Sequence, residues 1–272
     1  MKKIRRSARI ADMTQYLLER PHLLIPLTLF SERYSSAKSS ISEDLQIIKE
    51  VFDMEDLGEL KTLPGAAGGV KYIPKISLDK AKTWIEEMIE GLEDSSRLLP
   101  GGYLYMTDYL NQPQYVNRIG KIISSIYAER EVNYVMTVET KGIPIAFATA
   151  QYLNAPVIIV RRDSRVTEGS VVSINYVSGS SKRIQTMSLS RRGLQEKSKV
   201  LIVDDFMKAG GTVRGMMDLL QEFQADVVGA CVLVESEEND HRLVDDVNSL
   251  IRLKEVDVRD KKIHVQLGNL FD

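Results

Sequence analysis

The stretch Val200-Leu201-Ile202-Val203-Asp204-Asp205-Phe206-Met207-Lys208-Ala209-Gly210-Gly211-Thr212 constrains this chain more than any other part of it. Four apolar residues read as a buried strand. Two carboxylates stand where that strand leaves its sheet, and a Gly-Gly loop opens into a helix from Val213 to Phe223. In open α/β sheets, ligands bind beyond the carboxyl ends of the strands. Backbone N–H groups of the loop Phe206 to Thr212, which Gly210 and Gly211 allow to come close, suit a phosphate together with the first turn of the helix. Neighbouring carboxylates suit the vicinal hydroxyls of a ribose, or a divalent cation between them. A lone Gly-Gly would be read as a solvated turn. Strand, acid pair, glycine pair, Thr and helix in one order favour the anion site.

The rest of residues 75–272 fits around that strand. Tyr134 to Val138, Val157 to Val160 and Val227 to Val234 are further short β-branched runs with helical stretches between several of them. This alternation predicts an α/β domain with a mainly parallel sheet. After the first of these runs comes Glu139-Thr140-Lys141-Gly142-Ile143-Pro144 and an Ala-rich helix, so Thr140, Lys141 and Gly142 form a second candidate anion loop. Residues 161–192 hold seven Lys or Arg against Asp163 and Glu168. Arg161 and Arg162, at a strand end, are the expected ligand-facing charges there. The others read equally as a mobile cover for the ligand or as a solvated hairpin. Tyr103, after the turn Gly101-Gly102, is a candidate for stacking on a ligand, with core or interface packing as its alternative.

Residues 1–74 are built differently. Helices are expected over Ile10–Arg20, Leu27–Tyr34 and Ala37–Asp56, the last with Ile41, Leu45, Ile48 and Phe52 on one face and a possible capping box at Ser40 and Glu43. Two short strands, Glu59–Leu63 and Val70–Ile73, flank the turn Pro64 to Gly69. That turn lacks the Lys-Ser/Thr ending and the helix of a nucleotide-binding P-loop, and is better read as the wing of a winged helix-turn-helix. Lys38, Ser39, Ser42, Gln46 and Lys49 of the third helix, with Lys71 of the wing, are candidates to meet DNA. Lys3, Arg5, Arg6 and Arg9 in the basic N-terminus are candidates to meet its phosphates. Eleven basic and ten acidic residues in this segment require those charges to be polarised over its surface. From Ser77 to about Asp94 a helix connects the two parts.

Over the 272 residues the net charge is −2, which gives no overall pull toward nucleic acid or membrane. The single cysteine, Cys231, lies in an apolar run and excludes a disulfide framework or a cysteine-based zinc site. No apolar run approaches a membrane span, and the basic N-terminus lacks the apolar region of a signal peptide, so a cytoplasmic protein without membrane partners is expected.

The strand, acid pair and Gly-Gly-Thr loop resemble the signature of type I phosphoribosyltransferases. That resemblance implies that Asp204 and Asp205 hold the ribose hydroxyls of phosphoribosyl pyrophosphate and that Lys208 to Thr212 hold its 5-phosphate, while Thr140 to Gly142 match the family's pyrophosphate loop. Ala209 replaces a Thr or Ser usual in the family, removing one hydroxyl contact. Over essentially the whole length, including Ser36 to Asp44 and Leu63 to Val70, the chain is similar to purine operon repressors built on this fold. The resemblance implies a homodimer that binds double-stranded operator DNA of purine genes and loosens its grip when phosphoribosyl pyrophosphate binds, with Mg²⁺ accompanying the ligand and guanosine tetraphosphate or other nucleotides able to compete. It implies no catalytic residue and no catalytic cofactor. The alternative is a working purine phosphoribosyltransferase, and an RNA-binding attenuator would leave residues 1–74 without a task.

Overall fold

The computed structural model describes residues 4–65, 68–99, 103–163, 169–177, 183–237, 242–257, 260 and 262–272. They form two units, residues 1–77 with 152–154, and residues 78–151 with 155–272.

The first unit has the order α1 (Arg6–Leu18), β1 (Leu24–Ile25), α2 (Leu27–Tyr34), α3 (Lys38–Met54), β2 (Gly58–Leu63) and β3 (Gly69–Pro74). Its strands make an antiparallel sheet in the order β1-β3-β2. Met13 and Leu17 of α1, Phe30 and Tyr34 of α2, and Ile41, Leu45, Ile48 and Phe52 of α3 bury at helical spacing and close one core over Val70 and Tyr72. This is a winged helix. The second helix matches its expected bounds, since Pro26, which cannot continue a helix from the residues before it, stands at the N-cap and Ser35 turns left-handed at φ 48° to end it.

Three expectations for this unit need correction. The first helix begins at Arg6 rather than Ile10, because the basic residues on its first turns are neutralised by a carboxylate of α3. The third begins at Lys38 behind Ala37, with no side-chain cap, so the Ser40–Glu43 capping box does not form. The two-residue strand β1 was not expected at all.

The second unit runs α4 (Leu78–Leu92), β4 (Leu98–Leu99), β5 (Tyr103–Leu104), α5 (Thr107–Leu110), α6 (Pro113–Ile126), β6 (Tyr134–Val138), α7 (Gly142–Leu153), β7 (Val157–Val160), β8 (Val171–Val177), β9 (Ile184–Ser190), β10 (Lys199–Met207), α8 (Gly211–Glu222), β11 (Asp226–Ser236), β12 (Asn248–Asp257) and β13 (Lys262–Leu267). Its main sheet has the order β13-β12-β11-β10-β6-β7, parallel except for the β12–β13 pair. The α/β fold with a mainly parallel sheet is as expected. From β6 the chain moves outward to β7, and from β10 it moves the other way to β11 and β12. The order therefore reverses between β6 and β10, and a crevice opens at such a point beyond the strand ends.

Two features place the site. β10 does not stop at Val203 but continues through both carboxylates. Phe206 and Met207 still pair with Val234 and Glu235 of β11, whereas pairing with β6 ends at Ile202. β8 and β9 pair antiparallel, and Tyr176, Met187 and Leu189 on them are buried in one core with Val213 and Met216 of α8. That favours the hairpin reading of the basic stretch. Arg183, Arg191 and Arg192 are exposed on it, and Lys182 lies outside the described residues.

Candidate functional site

The adjacent strands β7, β6 and β10 end side by side, and the residues just beyond them converge. Val138 at the end of β6, Glu139, Thr140 and Lys141 after it, Arg162 after β7, and Asp204 to Val213 across β10 and α8 line one cavity of about 240 Å3. A larger cavity of about 610 Å3 lies near the amino ends of β11 and β12, lined by Tyr127, Arg130, Asp245 and Asn248 among others. The smaller one alone combines paired acids, cations and a helix N-terminus at the point where strand order reverses, and these features matter more than volume.

Asp204 is only 4% exposed, and its Oδ1 accepts a 3.0 Å hydrogen bond from the Asp205 N–H. Burial, and then the charge of Asp205, push the Asp204 carboxyl well above the ordinary carboxylate range. Burial also raises Asp205, against the pull of its hydrogen bond from Asp204 and the charge of Lys141. Two such carboxyls packed together carry their full charge reluctantly. A ligand that brings hydroxyl donors or a cation relieves that cost.

The glycines have separate duties. A Cβ on Gly142, the first residue of α7, would overlap Thr137 Oγ1 and reach 2.5 Å from Asp204 Oδ1. Gly142 thus lets the acid lie against a helix N-terminus, where negative charge is favoured. Gly210 caps α8 at φ +82°, in the left-handed region, and a Cβ there would overlap Val244 Cγ2. Gly210→Ala should lower stability by about 1–3 kcal/mol, since both the backbone and the neighbour resist it. Urea titration of the variant checks this, and an unchanged midpoint would mean that the loop is not held in this shape.

Of the candidates named from sequence, Thr140, Lys141 and all of Asp204, Asp205, Phe206, Met207, Lys208, Ala209, Gly210, Gly211 and Thr212 line this cavity. Gly142 sits behind it as a spacer. Arg161 needs correction. Its Nη1 lies 3.4 Å from Glu139 Oε2, and it is Arg162 that lines the cavity. Successive residues of an extended chain point to opposite sides, so only one of the pair can face the ligand. Glu139, missed from sequence, also accepts the Arg162 N–H at 2.8 Å, tying the ends of β6 and β7 together. The side chain of Tyr103 lies outside the described residues.

In the first unit, Lys38, Ser39, Ser42, Gln46 and Lys49 are exposed along α3, with Gln46 bonded to Glu50 at 3.2 Å, and Lys71 is half-buried on β3. Arg5 is exposed at the start of α1, and Lys3 lies outside the described residues. Arg9 departs from expectation. It is 7% exposed, its Nε donates to the fully buried Asp44 at 2.5 Å, and its Nη1 donates to Ser36 Oγ at 3.0 Å. Arg9 is therefore an internal brace between α1 and α3 and not a phosphate contact. Arg6 shares the same carboxylate at 2.9 Å while remaining half-exposed.

Comparison with known proteins agrees with both units. Residues 5–74 match the family described as the bacterial purine repressor N-terminal domain, and residues 106–272 match the phosphoribosyl transferase domain. The purine biosynthesis transcriptional repressor PurR of Bacillus subtilis is 58% identical over 269 residues, covering 99% of this chain and 94% of that protein. A purine biosynthesis transcriptional activator PurR of Lactococcus lactis is 44% identical over 269 residues, covering 99% of both. Among solved structures, adenine phosphoribosyltransferase from Thermoanaerobacter pseudethanolicus superimposes with a TM-score of 0.54 at 20% identity, covering 62% of this chain and 99% of that one, a likeness of fold. With a winged helix ahead of a phosphoribosyltransferase fold and relatives matched along nearly its whole length, this chain belongs to the PurR family of bacterial purine biosynthesis regulators.

Proposed function

We propose that this protein represses transcription of purine biosynthesis genes by binding operator DNA, and that phosphoribosyl pyrophosphate in the cavity of the second unit weakens that binding. The observation that carries the reading is the buried acid pair beside a glycine-capped helix N-terminus, on the same chain as a winged helix. Its parts match those of an activated sugar phosphate. Asp204 and Asp205 take the ribose hydroxyls, the Lys208–Thr212 amides take the 5-phosphate, and Lys141 and Arg162 face the pyrophosphate.

The chain acts as a cytoplasmic homodimer, in which two winged helices meet paired half-sites. Exposed Lys38, Ser39 and Ser42 at the start of α3 face the bases, and Arg5 and Arg6 lie near phosphates. No helix among the described residues is long and apolar enough to cross a membrane.

Mg²⁺ fits this donor set. It is held in such sites by one or two carboxylates together with substrate phosphates and water, and two acids that resist full ionisation side by side are suited to sharing a cation. Guanosine tetraphosphate and other nucleotides carry the same ribose and phosphate groups and compete for the cavity. The rival reading, an active purine phosphoribosyltransferase, draws on the shared fold. Ala209 offers no hydroxyl to the phosphate, and pyrophosphate release with each purine base would detect turnover.

The decisive experiment is to titrate phosphoribosyl pyrophosphate with Mg²⁺ into a complex with purine-operon control DNA at fixed salt. Release that saturates is expected. Coupling also requires DNA to weaken ligand binding by the same factor. A complex that is indifferent to the ligand, together with a calorimetric blank, overturns the reading.

A further inference from the structure

Beyond the acid pair, the loop Lys208–Gly210 rests on the segment that joins β11 to β12. The Leu243 N–H donates to the Ala209 carbonyl at 2.9 Å, and Val244 lies against Gly210. Arg242 folds residues 242–245 around its own guanidinium, with Nε donating to Val244 O at 2.7 Å and Nη2 to Asp245 O at 3.3 Å. Its Nη1 lies 3.3 Å from Oε2 of Glu235, a residue only 3% exposed, and the two attract as an ion pair without hydrogen-bond geometry. Glu235 stands on β11 in register with Met207, the last residue of β10. Its other oxygen accepts from Arg252 Nε at 3.1 Å, and Arg252 reaches on to Asp272 at 3.0 Å. A carboxylate this buried stays charged only when paired, and removing a partner is costly. Neither Glu235 nor Arg242 lines the cavity.

We propose that Arg242 and Glu235 are positioning residues for the phosphate loop. Glu235 is fixed by the sheet, it fixes Arg242, and Arg242 holds Leu243 and Val244 against Ala209 and Gly210, setting the angle at which the loop amides meet a phosphate. The proposal rests on the ligand reading above and adds a device to it. It has a consequence that general destabilisation lacks. Among the described residues, the bonds of Arg242 and Leu243 run to Glu235, Val244, Asp245 and Ala209 and none to Thr140, Lys141 or Arg162, so the brace acts on one half of the ligand only.

Full-length protein carrying Arg242→Ala, with Arg242→Lys beside it, tests this by calorimetry with two probes, ribose 5-phosphate and inorganic pyrophosphate. The Ala variant should bind ribose 5-phosphate about ten-fold more weakly, within the range by which residues remote from a ligand change its binding. It should bind pyrophosphate as the unaltered protein does. Lysine restores the charge opposite Glu235 but not the forked donation to two carbonyls, so it should recover part of the loss. Undiminished ribose 5-phosphate binding in Arg242→Ala overturns the proposal, and so does equal weakening of both probes. If the unaltered protein binds neither probe, the effector reading fails and takes this proposal with it.

Discussion

Replacing Asp204 and Asp205 together by Asn should yield a protein that still holds operator DNA but no longer releases it when phosphoribosyl pyrophosphate is added. Asn keeps the shape of each side chain while removing the charge that accepts a hydroxyl's hydrogen bond. The amide oxygen still accepts, but each bond falls from the charged range, about 1.5–3 kcal/mol, to the neutral one, about 0.5–1.5 kcal/mol. A loss of about 1–1.5 kcal/mol at each of the two positions corresponds to roughly thirty-fold to two-hundred-fold in ligand affinity. The fold should not suffer, because burial raises both carboxyls and their ionisation at neutral pH costs stability that neutral amides do not. Calorimetry for the ligand and fluorescence anisotropy for DNA separate the two effects. A double variant that still releases DNA at the usual ligand concentration would sink the assignment of this pair.

The second large effect is expected in the first unit. Asp44→Ala leaves the buried Arg9 guanidinium without its counter-charge, and breaking a buried pair from one side costs about 3–5 kcal/mol. Small domains have little stability to spare, so the first unit should unfold at growth temperature while ligand binding by the second persists. Arg6→Ala is the contrast. That side chain is 54% exposed, and exposed pairs contribute about 1 kcal/mol or less. Amide exchange in α1 and α3, read with DNA affinity, checks both variants. If Asp44→Ala exchanges no faster than Arg6→Ala, the network does not hold the unit together.

The same carboxylate carries a pH signature. Burial alone would raise Asp44, but hydrogen bonds and charge from Arg9 and Arg6 outweigh it and hold the group below the ordinary carboxylate range. A depressed folded-state value means that the ion pair stabilises fully above the unfolded value, near 3.9, and loses that contribution as pH falls through the folded one. The winged helix should therefore lose stability in acid below about pH 4.

The sequence was most legible where one local rule decided the outcome. Val157–Val160 and Tyr134–Val138 match their expected bounds because short β-branched runs between breakers have few other uses, and Leu27–Tyr34 matches because Pro26 fixes its start. It was least legible where the decision lay in a distant residue. Leu24 and Ile25 form a strand only because β3 is there to pair with them. The helical start at Arg6 and the burial of Arg9 both depend on Asp44, which stands 35 positions beyond Arg9. Arg161 and Arg162 could not be told apart, since which one faces the ligand follows from the direction in which β7 leaves the sheet. Nothing local in the sequence pointed to the brace at Glu235 and Arg242, whose partners meet across strands.

The extension of β10 through Phe206 and Met207 has a mechanical consequence. The acids stand on an anvil, clamped along one flank to β11 and open on the other, where the loop after β6 approaches. Such a base has almost no give, so an arriving sugar phosphate cannot push it aside. The ligand therefore meets an acid pair already set in place, so the cost of ordering those side chains falls on folding and not on binding.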